Sequence, residues 1–164
     1  MANTDLIDQY RMMHEAGKFP GLSVLKHSDS IRRLCDEHEA KTLLDYGSGK
    51  GRQYADHHMD RFWGVEVTLY DPAVEGIESL PEGKFDGVIC TDVLEHLEEH
   101  QLPFALGHIF AKAEKFVFLS VCPRPAKKVL PDGRNAHLTV QPEMWWRCLI
   151  EKFADKPFEI EVTD

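Results

Sequence analysis

The seven residues TDVLEHL, 91–97, follow the apolar run FDGVIC and set Asp92, Glu95 and His96 at i, i+3 and i+4. On a helix that spacing puts all three on one face. Two carboxylates and an imidazole there could hold a divalent cation: Mg2+ through its preference for oxygen, or Mn2+, Fe2+, Co2+ or Zn2+ through the nitrogen as well. A plainer reading stands beside it, in which Asp92 caps the helix, Glu95 completes a capping box three residues on, and His96 is merely exposed. Downstream, RNAHLTVQPEMWW supplies His137 in a segment that should return toward the same place.

A second constellation lies upstream. LLDYGSGKG, 43–51, carries Gly47, Gly49 and Gly51 directly after a strand-like run, where glycines allow a sharp turn and bring backbone N–H groups close to a ligand. The pattern is Asp-x-Gly-x-Gly-x-Gly, which is neither the dinucleotide fingerprint nor a P-loop, and no Gly-Lys-Ser/Thr follows. Roughly twenty residues later Asp71 ends the next strand, the place from which a carboxylate can accept both hydroxyls of a ribose.

These residues need a scaffold that brings strand ends together. KTLLDYG reads as a first buried strand, with a helix from about Gly51 to His57. FWGVEVTLY, 62–70, ending at Asp71-Pro72, reads as a second strand, and FDGVICT, 85–91, and KFVFLSV, 115–121, as two more. Leu94, Leu97, Leu102, Phe104, Ile109 and Phe110 supply a helical crossover between the last two, and alternating strands and helices imply a parallel sheet covered on both faces. Ahead of the sheet, residues 4–16 place Leu6, Ile7, Tyr10, Met12 and Met13 on one helical face, stopped by Gly17 and Pro20-Gly21. Ser28 or Asp29 caps a second helix that turns Ile31, Leu34 and Cys35 inward. After a Pro- and Gly-punctuated loop, 123–136, Pro142 opens a helix with Met144, Trp145, Cys148 and Leu149 on one side, and FEIEV, 158–162, is a last strand.

The chain of 164 residues, 43% apolar, can bury one substantial core, so a single domain is expected over 1–164: a helical N-terminal cap, 1–38, and a core, 40–164. A net charge of -9 and a pI near 5.4 argue against DNA as a partner. Four widely spaced cysteines without a Cys-x-x-Cys pair are read as reduced, packed thiols. With no signal-like N-terminus and no long apolar stretch, the expectation is a cytoplasmic protein without a membrane partner.

LLDYGSGKG, the strand end at Asp71 and FDGVICTDVLEH together resemble the class I S-adenosylmethionine-dependent methyltransferases over about residues 40 to 122. That resemblance implies a Rossmann-like α/β three-layer sandwich with a mostly parallel sheet. It also implies that Asp45, Gly47, Gly49 and Gly51 contact the methionine part of the cofactor, Asp71 its ribose, and that Thr91 and Asp92 line the methyl-transfer site. Two departures stand out: 72–84 is too short for the usual helix and third strand, and the chain has one terminal strand where the family commonly has an antiparallel pair. The sheet is therefore expected to be shortened at both places, which leaves room for a homodimer.

The element at 92–96 is similar to the Glu-x-x-Glu-His of ubiquinone-pathway O-methyltransferases and of small-RNA 3'-terminal 2'-O-methyltransferases. By that likeness Asp92, Glu95, His96 and His137 would be both the catalytic set and the ligands of Mg2+ or another divalent cation, with Asp92 one methylene shorter than its counterpart. Without a metal, His96 or His137 would serve as base. The loop 123–136 holds Arg124, Lys127, Lys128 and Arg134 against one acid, Asp132, which suits a small anionic substrate. An RNA terminus and a non-catalytic cofactor-binding subunit are the alternatives, and an oxidoreductase is disfavoured by the glycine spacing. Tyr10, His14 and Phe19 are the N-terminal residues placed to cap the pocket.

Overall fold

The computed structural model describes residues 5–163; residues 1–4, where the helical pattern starts at residue 4, and Asp164 lie outside the described residues. Five strands, β1 (Thr42–Tyr46), β2 (Glu66–Tyr70), β3 (Phe85–Thr91), β4 (Ala113–Val121) and β5 (Phe158–Val162), form one sheet in the order β2-β1-β3-β4-β5. Every neighbouring pair is parallel. No strand forms between β2 and β3 among the described residues, so β2 is an edge, as the short stretch 72–84 implies.

The strands alternate cleanly between two cores, the period-2 consequence of a pleated sheet covered twice. Leu44, Val88, Cys90, Val117 and Leu119 share one core with Leu106 and Ile109 of α5 (Leu102–Lys112) and with Trp146 and Ile150 of α6 (Glu143–Glu151). Leu43, Ile89, Phe116 and Phe118 share the other with Ile31, Leu34 and Cys35 of α2 (Ser28–Glu37) and with Trp63. The result is the Rossmann-like three-layer α/β fold. Helix α2 is thus one of its layers, and of the segment 1–38 the described part that stands apart is α1 (Leu6–Glu15), which packs Leu6 and Met13 on Leu130 and Ala136. Gly87 is required inside β3, because a Cβ there would lie 2.4 Å from Phe116 Cζ.

Local corrections have local causes. The helix after the glycine loop is two short ones, α3 (Arg52–Ala55) and α4 (Met59–Trp63); Phe62 and Trp63 are helical, and β2 starts only at Glu66 because Gly64, at φ 68°, ends α4. Helix α2 is capped by no side chain; a 3-10 turn, Ser23–His27, runs straight into it. In α1 the buried face is Leu6, Gln9, Met13 and His14, while Ile7 and Met12 are exposed. In α6 it is Trp146 and Ile150, with Met144 68% exposed, and Pro142 is the cap preceding the helix.

Candidate active site

From β1 the chain goes to β2 on one side and then crosses to β3 on the other. The strand order reverses between β1 and β3, and the crevice at such a reversal, beyond the carboxyl ends, is where open α/β sheets bind ligands. The loop 47–51 and the turn at 91–97 both emerge there.

Gly47, Gly49 and Gly51 all adopt positive φ, at 84°, 57° and 67°. A Cβ on Gly47 would sit 2.4 Å from Val93 Cγ2, and one on Gly51 2.6 Å from Leu69 Cδ1, so the loop is closely packed and needs glycine on conformational grounds as well. Its amides are tied to the end of β2: Gly47 N–H donates to Tyr70 O at 2.7 Å and Gly49 N–H to Asp71 Oδ2 at 2.9 Å. Asp71 Oδ1 accepts from Ala73 N–H at 2.9 Å. Loop and acid are therefore one unit, close enough to share one nucleoside.

Asp45 lies buried at the end of β1. Gln53 Nε2 and Tyr54 OH donate to its Oδ2 at 3.0 and 2.7 Å, while Oδ1 is buried with no partner. Burial, outweighing those two bonds, pushes its carboxyl up to about 6. Gln53 and Tyr54 escape detection in the sequence, because nothing in their types distinguishes them from ordinary residues of the first turn after a glycine loop.

The turn at 91–97 is not the helix its spacing suggests. Asp92 takes a left-handed φ of 53°, and a 3-10 turn, Leu94–His96, follows with Val93 at its cap. Both the shared helical face and the capping box are therefore absent. Asp92 faces β4 and β5: its Oδ1 accepts from Ser120 Oγ at 2.8 Å and from Thr163 Oγ1 at 3.2 Å. Glu95 is completely buried; Oε1 accepts from Cys122 N–H at 2.9 Å and Oε2 has no partner. Burial, reinforced by Asp92, pushes its carboxyl up to about 8. His96 Nδ1–H donates to Ala136 O at 2.8 Å and His137 Nδ1–H to Arg124 O at 2.6 Å. In the neutral rings Nε2 is then the lone-pair nitrogen of both. The two imidazoles meet edge to face with centroids 4.8 Å apart, and burial first, then His137, lowers the pKa of His96 to about 4.

A family model described as a methyltransferase domain matches residues 22–151. The chain belongs to that family. It is an S-adenosylmethionine-dependent methyltransferase, and the site holds groups that would fit that cofactor: three glycines in a turn, the Asp71 carboxylate beside them and, in Asp45, a buried carboxylate oxygen without a partner. None of the curated proteins matches the chain significantly. No described helix is long and apolar enough to cross a membrane.

The divalent cation does not fit this methyltransferase. Among the described residues no three His, Cys, Asp or Glu side chains converge to hold a metal ion; Asp92 is turned to two hydroxyls and Glu95 Oε1 to an amide. Of the expected ligands Asp92, Glu95, His96 and His137, the structure brings the two imidazoles of His96 and His137 into contact and turns the two carboxylates to other partners.

The N-terminal segment covers the crevice. Tyr10 OH lies 2.8 Å from His96 O and 2.9 Å from Ala136 O, and Tyr10 and Phe19 each meet the His96 ring edge-on at 5.5 Å. Ser23 Oγ lies 2.8 Å from Thr91 Oγ1, a contact no sequence pattern announces. Of the basic loop, Lys128 turns inward, its Nζ 4.4 Å over the Phe19 ring. Arg134 is bound by Glu98 and Asp132, while Arg124 and Lys127 are exposed.

Proposed function

We propose that this methyltransferase methylates an oxygen of a small anionic acceptor by direct displacement. The observation that carries the reading is the His96–His137 pair, whose Nδ1–H groups are both committed to backbone carbonyls, beside the crevice at the end of β3. Such orientation fixes the tautomer and leaves Nε2 of each ring to receive a hydroxyl proton.

The cofactor supplies a methyl group on a positively charged sulfur, which needs no acid to depart. What falls to the chain is alignment and the acceptor's proton. In that displacement His137 Nε2 would take the proton of the acceptor hydroxyl. His137 takes it because the burial that lowers the pKa of His96 makes that ring too weak a base; His96 receives a hydrogen bond and orients the hydroxyl. Glu95 is a positioning residue. Its side chain accepts from Cys122 N–H at the end of β4, and its carbonyl accepts from Thr139 N–H at 3.0 Å, so it holds the segments bearing both histidines. Lys128 pairs with the acceptor's anionic group.

The test is transfer of labelled methyl from S-adenosylmethionine to a panel of small hydroxylated carboxylic and phosphoric acids. His137→Gln should lower kcat by about two to four orders of magnitude, the range general-base loss covers, while binding of S-adenosylhomocysteine is unchanged. Label appearing on amines or on RNA ends, with hydroxy acids untouched, refutes the acceptor assignment.

A further inference from the structure

Helix α1 is held in place by contacts of its own. Gln9 Nε2 donates to Asp132 Oδ2 at 3.0 Å and Gln9 Oε1 accepts from Asp132 N–H at 3.2 Å, while Tyr10 reaches the carbonyls of His96 and Ala136. The last turn of the helix is thereby set over the glycine loop. There His14 is only 8% exposed, its Nε2 lies 3.9 Å from Asp71 Oδ2, and its Cε1 lies 3.5 Å from where a Cβ on Gly49 would be. The chain then returns across the same loop, where a Cβ on Gly21 would be 3.4 Å from Gln53 Oε1 and 3.8 Å from Lys50 N. Phe19 packs on the His14 ring at a centroid distance of 5.2 Å.

The imidazole is poorly served in this position. Its distance to Asp71 is too long for a hydrogen bond, and Nδ1 is buried without any partner. A buried polar atom left in this way is costly, and the other ring nitrogen, Nε2, stands beside Asp71 Oδ2 without bonding to it. Burial lowers the pKa of His14 against the pull of Asp71, with Lys50 and Lys128 acting in the same direction as burial, so the ring is a neutral group with one donor and one acceptor nitrogen.

Resting on the assignment of the glycine loop and Asp71 to the cofactor, we infer that His14 is a cofactor-positioning residue: with S-adenosylmethionine bound, a ribose hydroxyl bridges His14 Nε2 and Asp71, which stand 3.9 Å apart. Helix α1 is then a wall of the nucleoside site and carries one of its ligand contacts, in addition to covering the acceptor side through Tyr10.

The experiment compares binding of S-adenosylhomocysteine and of methylthioadenosine, which keeps the ribose and lacks the amino acid, by calorimetry on wild type, His14→Ala and His14→Asn. The expected result is a roughly tenfold weaker Kd for both ligands in His14→Ala. The KM for the cofactor should rise in parallel and kcat stay within about twofold, with recovery to within about threefold of wild type in His14→Asn. The ring nitrogens of His14 in wild type should shift on adding either ligand when followed by 15N NMR, which also verifies that the variants keep the native spectrum elsewhere. Unchanged affinity in His14→Ala overturns the inference while leaving the cofactor site intact, and so does a loss confined to S-adenosylhomocysteine, which would move the contact to the amino acid. Wild type that binds neither ligand overturns both the inference and the cofactor assignment beneath it.

Discussion

Replacing Glu95 with Gln should make the protein more stable, and increasingly so as pH rises. The carboxyl is completely buried, one oxygen accepts a single amide, and the other has no partner, so ionisation is resisted until about pH 8 against an ordinary 4.5. Between those values the native state holds a proton that the unfolded chain has released, so folding stability falls as pH climbs from about 4.5 and the loss is complete above about 8. Each pH unit across that window removes about 1.4 kcal/mol, which brings the upper limit of the effect to the order of 5 kcal/mol. A glutamine keeps an oxygen for Cys122 N–H and has no charge to bury. Urea unfolding of both proteins at pH 5, 7 and 9 should show them within about 1 kcal/mol at pH 5 and Glu95→Gln ahead by about 3 kcal/mol at pH 9, within the spread expected for removing a buried charge. Because Glu95 acts by position, the variant should keep turnover within about tenfold, whereas Glu95→Ala should lose it by about a hundredfold or more. A stability difference that stays flat with pH, or a Glu95→Gln protein weaker than wild type at pH 9, would refute the reasoning.

Gly47→Ala combines a left-handed backbone with a Cβ 2.4 Å from Val93 and should cost about 2–4 kcal/mol, read by urea unfolding, with S-adenosylhomocysteine binding lost. Gly87→Ala, whose Cβ would collide with Phe116, should cost about 1–3 kcal/mol yet leave that binding unchanged at temperatures where the variant is folded. Exhaustive chelation should leave methyl transfer unchanged, and activity restored only by added Mg2+ would show that a cation gathers ligands from Asp92, Glu95, His96 and His137 after all. Lys128→Glu should raise the acceptor KM by about tenfold or more through charge reversal, and the exposed Lys127→Glu should not, as measured by initial rates.

Strand positions and the glycine loop were legible because they depend on local composition: FDGVICT is β3 residue for residue, and Gly47, Gly49 and Gly51 all need the backbone freedom that only glycine gives cheaply. The proximity of Asp71 to the loop followed from parallel strands that end together. What the sequence concealed was set by tertiary partners. Asp92, Glu95 and His96 have perfect helical spacing, yet Asp92 finds Ser120 and Thr163, which are distant in sequence, and the chain turns left-handed to reach them. The same holds for α6, where Trp146 and Ile150 win the core although Met144 and Cys148 are as apolar by type.

The turn after β2 extends the influence of Asp71 in both directions along the chain. Its carboxylate takes Gly49 N–H from one side and Ala73 N–H from the other, while its own N–H donates to Ile77 O at 3.0 Å. In place of the missing third strand, the residues 72–77 brace this one side chain. A change of length or sequence in that surface turn would consequently reach the glycine loop through a single carboxylate. Thus the shortest link between two strands of the sheet bears directly on the set of the glycine loop, and random insertions tolerated at other turns should be selected against here.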